Sequence, residues 1–177
     1  MKEIEIKFRL RNLEEIRKRL RRLGGKRKET VFERNWVFDF PDQNLWKNGK
    51  LLRLREETGN SKNVYLTFKN RLKDSRFKVM EEIEIRVSDF AKTSKLLEAL
   101  GLRKVWEYQK KRENWELWKQ KITLDTLPVI GEWMEIEGDE KGIEKIAKEL
   151  GFEISQGTNK SYRELLEEKG KIEDLVF

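Results

Sequence analysis

The chain has 177 residues, 41% of them Asp, Glu, Lys or Arg, and a formal net charge of +7 at pH 7. It contains neither cysteine nor histidine, which excludes disulfides, thiolate nucleophiles, zinc centres of sulfur or imidazole, and triads that need an imidazole base. Its chemistry must come from carboxylates, amines, guanidinia and oxygen-loving metals. No apolar run approaches the ~20 residues of a membrane span and no apolar signal core opens the chain, so a cytoplasmic protein is expected. The length suits a single domain, 1–177, and the positive charge predicts an anionic partner, either nucleic acid or a small polyphosphate.

The opening stretch alternates: Glu3, Glu5 and Lys7 point to one side of a strand, and Ile4, Ile6 and Phe8 to the other. A helix is predicted from Asn12, with Glu15 at capping-box spacing and Leu13, Ile16, Leu20 and Leu23 as its apolar stripe. Its other face, Arg17-Lys18-Arg19 and Arg21-Arg22, reads as a solvated surface before it reads as an RNA grip. Strands are predicted at about 31–40, 51–57, 63–70 and 80–87, with turns at Pro41–Asn44 and Thr58–Ser61. A second helix starts at Ser88 or Asp89, with Phe90, Leu96, Leu97 and Leu100 inward. Strands at about 104–117, 120–126 and 132–137 follow, the last two separated by a turn from Pro128 to Gly131. A third helix from about Asp139 carries Ile143, Ile146, Ala147 and Leu150, and a short fourth fits Ser161 to Leu166, with Ser161 and Glu164 at capping-box spacing. Three times a Glu-Ile strand leads through a helical pattern to Leu-Gly, at 23–24, 100–101 and 150–151, where a helix end favours positive φ.

Face by face, the strands oppose apolar and charged residues. Leu52 and Leu54 alternate with Arg53 and Arg55, Leu66 and Phe68 with Thr67 and Lys69, Ile83 and Ile85 with Glu82, Glu84 and Arg86, and Met134 and Ile136 with Glu135 and Glu137. The stretch around Lys110 and Arg112 is less regular, because Lys111 and Glu113 occupy the opposite parity. Amphipathic helices need apolar sheet to cover, so Ile4, Ile83 and Ile136 are expected to face helices and the charged set to lie away from them, in an α+β fold. An open sheet would leave that charged face solvated. A barrel closed from about eight strands would make it a lumen of small-ligand size.

Glu3-Ile-Glu5-Ile-Lys7 is followed in order by Leu51-Leu-Arg53-Leu-Arg55, Leu66-Thr-Phe-Lys69, Glu82-Ile-Glu84, Lys110-Lys-Arg112, Thr123-Leu-Asp125, Glu135-Ile-Glu137 and Lys160-Ser-Tyr162. This series resembles the CYTH family, also called triphosphate tunnel metalloenzymes. The resemblance implies a closed eight-stranded antiparallel β-barrel with a charged interior, covered outside by amphipathic helices, which binds a nucleoside or inorganic triphosphate with Mg²⁺ or Mn²⁺. On that reading Glu3, Glu5, Glu82, Glu84, Asp125, Glu135 and Glu137 supply hard oxygens to the metal. Lys7, Arg53, Arg55, Lys69, Lys110, Arg112 and Lys160 hold the triphosphate, with Lys7, Lys69 and Arg112 as the catalytic set. The plainer alternatives are a solvated edge for Glu3 and Glu5, and simple ion-pair partners of the acids for Arg53, Arg55 and Lys69.

The ending Lys160-Ser161-Tyr162-Arg163-Glu164-Leu165-Leu166 resembles that of class IV adenylate cyclases, which implies conversion of ATP to cyclic AMP and pyrophosphate. The alternatives are hydrolysis of tripolyphosphate, thiamine triphosphate or a nucleoside triphosphate, and a non-catalytic RNA- or polyphosphate-binding module. Nucleic acid is the weaker partner, no membrane is expected, and a homodimer stays open. The stretch Glu33–Asp39 matches the second strand of the family only in part, with Val37 where an aromatic often precedes Phe-Asp, so no site role is carried onto it. Trp106, Trp115, Trp118 and Trp133 are expected to pack between helices and sheet rather than to stack bases.

Overall fold

The computed structural model describes residues 2–170 and 173–177, apart from the side chains at 73 and 74. Its strands are β1 (Lys2–Arg9), β2 (Lys26–Asp39), β3 (Lys50–Thr58), β4 (Lys62–Asp74), β5 (Lys78–Val87), β6 (Arg103–Leu117), β7 (Gln120–Leu127) and β8 (Gly131–Glu137). The helices are α1 (Leu13–Arg22), α2 (Asn44–Lys47), α3 (Phe90–Ala99), α4 (Glu140–Glu149) and α5 (Tyr162–Glu167). The strands close in the order β1-β5-β4-β3-β2-β6-β7-β8, every pairing antiparallel. Closure leaves no free sheet edge. Among the described residues no helix is long and apolar enough to cross a membrane.

The helix ends follow their side chains. Asn12, Asp89, Asp139 and Ser161 each accept a backbone N–H of the first turn, at Glu15, Lys92, Gly142 and Glu164. Ser161 and Glu164 complete a reciprocal capping box, whereas the Glu15 carboxylate pairs with Arg19. Gly24, Gly101 and Gly151 all have φ between 82° and 90°, as the three Leu-Gly steps require. The four-residue α2 was not expected; it starts at the last residue of the predicted Pro41–Asn44 turn and runs through Leu45, Trp46 and Lys47.

Most apolar strand residues point outward and are covered in two patches, and a third apolar group lies inside one end of the barrel. Ile6, Phe8, Ile122, Leu124, Met134 and Ile136 lie beneath Ile16 and Leu20 of α1 and Ile143 and Ile146 of α4, with Leu150 just past its end. Val37, Trp106, Leu127 and Trp133 share the inward parity of Arg53, Lys110 and Asp125 and pack inside the barrel with Tyr162 and Leu166 of α5 and with Leu175 of the C-terminal segment, so Trp106 and Trp133 do not lie between helices and sheet. Phe38, Leu54 and Val64 lie beneath Leu97 of α3. Glu113, at the outward parity that made the Lys110 stretch irregular, is buried and takes Arg17 of α1 in a bidentate pair at 3.0 and 3.1 Å.

Four other expectations about packing are corrected. Ile83 and Ile85 face outward but no helix lies over them, and they are 60% and 54% exposed. Leu96 and Leu100 of α3 are also exposed, because Leu97 and Ser94 occupy the buried stripe. Trp118 is 42% exposed: it and Lys119 form a two-residue hairpin turn with φ of 51° and 65°, which carries the ring beyond the sheet. Arg9 and Arg86, at the inward parity, are exposed at the ends of β1 and β5.

The difference between Ile83 and Ile136 is directly testable. Ile136, fully buried, should unfold or severely destabilise the protein when changed to Asp, and Ile136→Ala should cost about 2–5 kcal/mol. Ile83→Ala should stay within about 0.5 kcal/mol. Urea denaturation reads both, and equal losses would place Ile83 beneath a covering element.

Candidate functional site

The inward parity of the strands encloses a cavity of about 570 Å³. Of the residues expected there, Glu3, Glu5, Lys7, Arg53, Arg55, Lys69, Glu82, Glu84, Lys110, Arg112, Glu135 and Glu137 line it. Asp125 lies behind that lining with no solvent exposure, and Lys160 stands apart: it is half-exposed and paired with Glu168 rather than turned into the barrel. Strand register explains the convergence, since Lys7 opposes Glu135 across β1–β8, Arg112 opposes Asp125 across β6–β7, and Lys69 opposes Glu82 across β4–β5.

Acids and bases neutralise one another. The Lys7 ammonium binds Glu5 and lies 3.3 Å from Glu135 Oε1. Lys69 Nζ lies 2.5 Å from Glu3 and 2.8 Å from Glu82. Arg112 donates to both oxygens of Asp125, at 2.7 and 2.6 Å, and through Nη2 to Glu135 at 2.6 Å. Lys110 donates to Asp125 at 3.1 Å, and the Tyr162 hydroxyl donates to the same carboxylate at 2.8 Å. Asp125 is thereby saturated and serves to hold Arg112, Lys110 and Tyr162 in place. Glu84 accepts from Arg55 at 3.0 Å and from Thr67 at 2.7 Å, while Glu137 pairs with Lys121 at 2.9 Å.

The pairing is incomplete in one quarter. The Nε of Arg53 is buried without a hydrogen-bond partner, as are Glu33 Oε1 and Asn35 Oδ1, whereas that of Arg55 lies 3.2 Å from Glu57 Oε1. A guanidinium with an unsatisfied donor in the wall of the cavity suits the oxygens of an anion.

Burial opposes the ammonium of Lys7, but Glu135 and Glu5 outweigh it and hold its pKa above the ordinary lysine value. Lys69 is likewise raised, by Glu3 and Glu5 against burial. Both therefore act as cations and not as bases near neutrality. Lys78, 3.0 Å from Glu5, goes the other way, because burial outweighs its acidic partner. Burial also pushes on the carboxylates, yet Lys7 and Lys78 hold Glu5 well below the usual range, and Lys110 and Arg112 do the same for Glu33. Glu3 is the exception: burial, helped by Glu5 and Glu82, overcomes Lys69 and raises it to about 7.

Sequence reasoning missed Glu33, Lys78 and Tyr108. Glu33, fully buried 3.4 Å from Lys110, lay in the stretch set aside because of Val37. Its parity with Asn35 on β2 was the available signal. Lys78 and Tyr108 precede the charged motifs on β5 and β6 by an even number of residues, so the same alternation places them inward.

Among the described residues no three acids are grouped to hold a metal ion as they stand. The donor chemistry nevertheless fits a hard divalent cation. Burial, with a smaller contribution from Glu5 and Glu82, raises the Glu3 pKa, and a divalent cation beside Glu3 would offset that unfavourable burial of negative charge.

With no histidine in the chain, Glu3 supplies a side-chain titration near neutrality. Its folded pKa lies above the unfolded value, so its contribution to stability is present below about pH 4.5 and is lost as pH rises through about 7. Glu5 and Glu33 act oppositely, their contribution being lost as pH falls below the ordinary carboxylate range. Carboxyl-resolved NMR should find one glutamate with a midpoint near 7 that disappears in Glu3→Gln; a midpoint near 4.5 would remove the burial argument.

Residues 1–165 match the CYTH domain family. A Methanocaldococcus jannaschii protein named "Putative adenylate cyclase MJ0240" is 28% identical over 176 residues, which cover 93% of this chain and 98% of the relative. The structure of PH1819 protein from Pyrococcus horikoshii OT3 aligns with a TM-score of 0.81 at 30% identity, over 94% of this chain and 99% of the other. A Hippeastrum protein, described as a putative adenylyl cyclase with a dominant triphosphatase activity, shares the fold at a TM-score of 0.66 and 19% identity, over 96% of each chain. Matched over nearly its whole length, and folded as a closed barrel with a charged interior, the chain belongs to the CYTH domain family.

Proposed function

We propose that this chain is a metal-dependent enzyme that takes a nucleoside triphosphate into the barrel and converts ATP to cyclic AMP and pyrophosphate. The observation that carries the reading is the mixed-sign interior, in which buried Lys7, Arg53, Lys110 and Arg112 stand beside buried Glu3 and Glu5 along one cavity. A triphosphate needs the first set and its divalent ion the second. Glu3, Glu5, Glu82, Glu135 and Glu137 would hold Mg²⁺ or Mn²⁺, which when bound neutralises charge on phosphate oxygens. Arg53, Arg55, Lys69 and Arg112 grip and orient the phosphates, and Lys7 and Lys69 neutralise the charge that builds up on the leaving group. In cyclisation the ribose 3′-hydroxyl gives its proton to water as its oxygen bonds to the α-phosphorus, the bond from that phosphorus to the oxygen bridging to the β-phosphorus breaks, and pyrophosphate leaves. The ending Lys160 to Leu166 and the naming of the M. jannaschii relative support cyclisation over hydrolysis.

Hydrolysis is the second reading, favoured by the activity described for the Hippeastrum protein. Incubation with ATP and Mn²⁺ or Mg²⁺, followed by ion-exchange chromatography, separates the two. Cyclic AMP and pyrophosphate are expected; ADP and orthophosphate without cyclic AMP would defeat cyclisation, and no turnover of any triphosphate would defeat the enzyme.

Because each cation that lines the cavity is engaged by an acid, triphosphate and divalent ion should bind cooperatively, each releasing partners for the other. Calorimetry should find tripolyphosphate binding tighter with Mg²⁺ than in excess chelator. Arg55→Ala should weaken it by about ten- to a hundred-fold, the value of a charge-assisted contact of roughly 1.5–3 kcal/mol. Glu137→Gln should reduce the gain from Mg²⁺ instead. Identical behaviour of both variants and the parent would remove the division of labour.

A further inference from the structure

Asp125 and Glu33 both lie behind the lining of the cavity with no solvent exposure, and they hold their cations in different ways. Asp125 accepts hydrogen bonds from Arg112 at 2.7 and 2.6 Å, from Tyr162 at 2.8 Å and from Lys110 at 3.1 Å. Glu33 has Lys110 Nζ at 3.4 Å, Arg112 Nε at 3.5 Å and Arg55 Nη1 at 3.8 Å, all beyond the roughly 2.7–3.2 Å of a good N–H···O bond. Its Oε1 has no hydrogen-bond partner, and its Oε2 accepts a long one, 3.4 Å, from Asn35. Glu33 is surrounded by positive charge without being tied to it.

The three cations stand on the strands that pair with β2 on either side, Arg55 on β3 and Lys110 and Arg112 on β6, and all three line the cavity. Burial opposes the Glu33 charge, but Lys110 and Arg112 outweigh it and keep the carboxyl ionised. The acid facing it across β2–β3, Glu57, is taken up by Arg55 at 3.2 Å. A divalent ion takes several oxygen ligands, whereas the ion pairs of Glu33 are to cations, so the triphosphate chemistry argued above gives this acid no metal to hold. An anion entering the cavity meets Glu33 as a like charge behind the cations it needs.

We propose that Glu33 is a positioning residue, a built-in counter-anion that holds Arg55, Lys110 and Arg112 together in the empty barrel and competes with a triphosphate for them, and so sets how tightly the triphosphate binds. The proposal rests on the triphosphate reading and deepens it. Without Glu33 three cations would crowd one another behind the cavity wall; with it, a phosphate group has to displace its hold on them. Because that hold is by charge and not by fixed hydrogen bonds, the Arg55 and Arg112 guanidinia can turn to a ligand while Asp125 still anchors Arg112 and Lys110.

Calorimetry with tripolyphosphate, in excess chelator and in Mg²⁺, tests this. In chelator Glu33→Gln should bind about ten-fold tighter than the parent, and its further gain from Mg²⁺ should be smaller. Glu33→Asp, which keeps the charge, should bind as the parent does. A merely structural role would weaken binding in both variants. Should Glu33→Gln unfold because its cations are left uncompensated, tripolyphosphate should restore its thermal transition, read by circular dichroism, by supplying the missing charge. A folded Glu33→Gln that binds no tighter than the parent in chelator, a Glu33→Asp that tightens as much as Glu33→Gln, or an unfolded Glu33→Gln that tripolyphosphate does not rescue would each overturn the proposal and leave the triphosphate reading intact. A parent that binds no tripolyphosphate in Mg²⁺ would overturn both.

Discussion

The structure depends on the mutual neutralisation of charges inside a closed barrel. Glu5, Lys7, Lys110, Arg112 and Asp125 are each less than a tenth exposed, and an isolated ion at such depth costs several kcal/mol. The barrel tolerates them because neighbouring strands present opposite signs at facing positions, so that each charge meets its partner through register alone. Removing one partner leaves the other buried and uncompensated. This is why effects within the interior should not add.

Filling the inside with charge moves the apolar core to the outside. Most of the isoleucines and leucines lie on the convex face, where α1 and α4 cover β1, β7 and β8 and α3 covers β3. At one end apolar residues turn inward instead, and Tyr162 and Leu166 of α5 pack with Val37, Trp106, Leu127 and Trp133 inside the barrel. Coverage is uneven: the outer face of β5 is bare at Ile83 and Ile85.

The same neutrality bears on function. On the proposed reading, an interior whose cations are already paired would take a triphosphate only once the acids have found a replacement cation, so substrate and metal would be coupled through the protein's own ion pairs. Membership of the CYTH family and the mixed-sign, paired interior support that reading.

By itself the sequence determined the order of the strands, the parity of almost every charged residue and the helix caps, because these follow from local periodicity and from side chains within one turn of their targets, but not that β2 starts at Lys26 and β4 runs on to Asp74. Glu3-Ile-Glu5-Ile-Lys7 names both its faces without any neighbour. Closure into a barrel came from the resemblance rather than from the pattern, since an open sheet alternates in the same way. Only the tertiary structure decided which apolar positions receive a helix: Ile83 and Ile136 look alike in sequence, and differ because α4 ends over one and nothing lies over the other. It likewise decided that Glu33 belongs to the interior, through its contact with Lys110 on another strand, and that Lys160, paired with Glu168, does not.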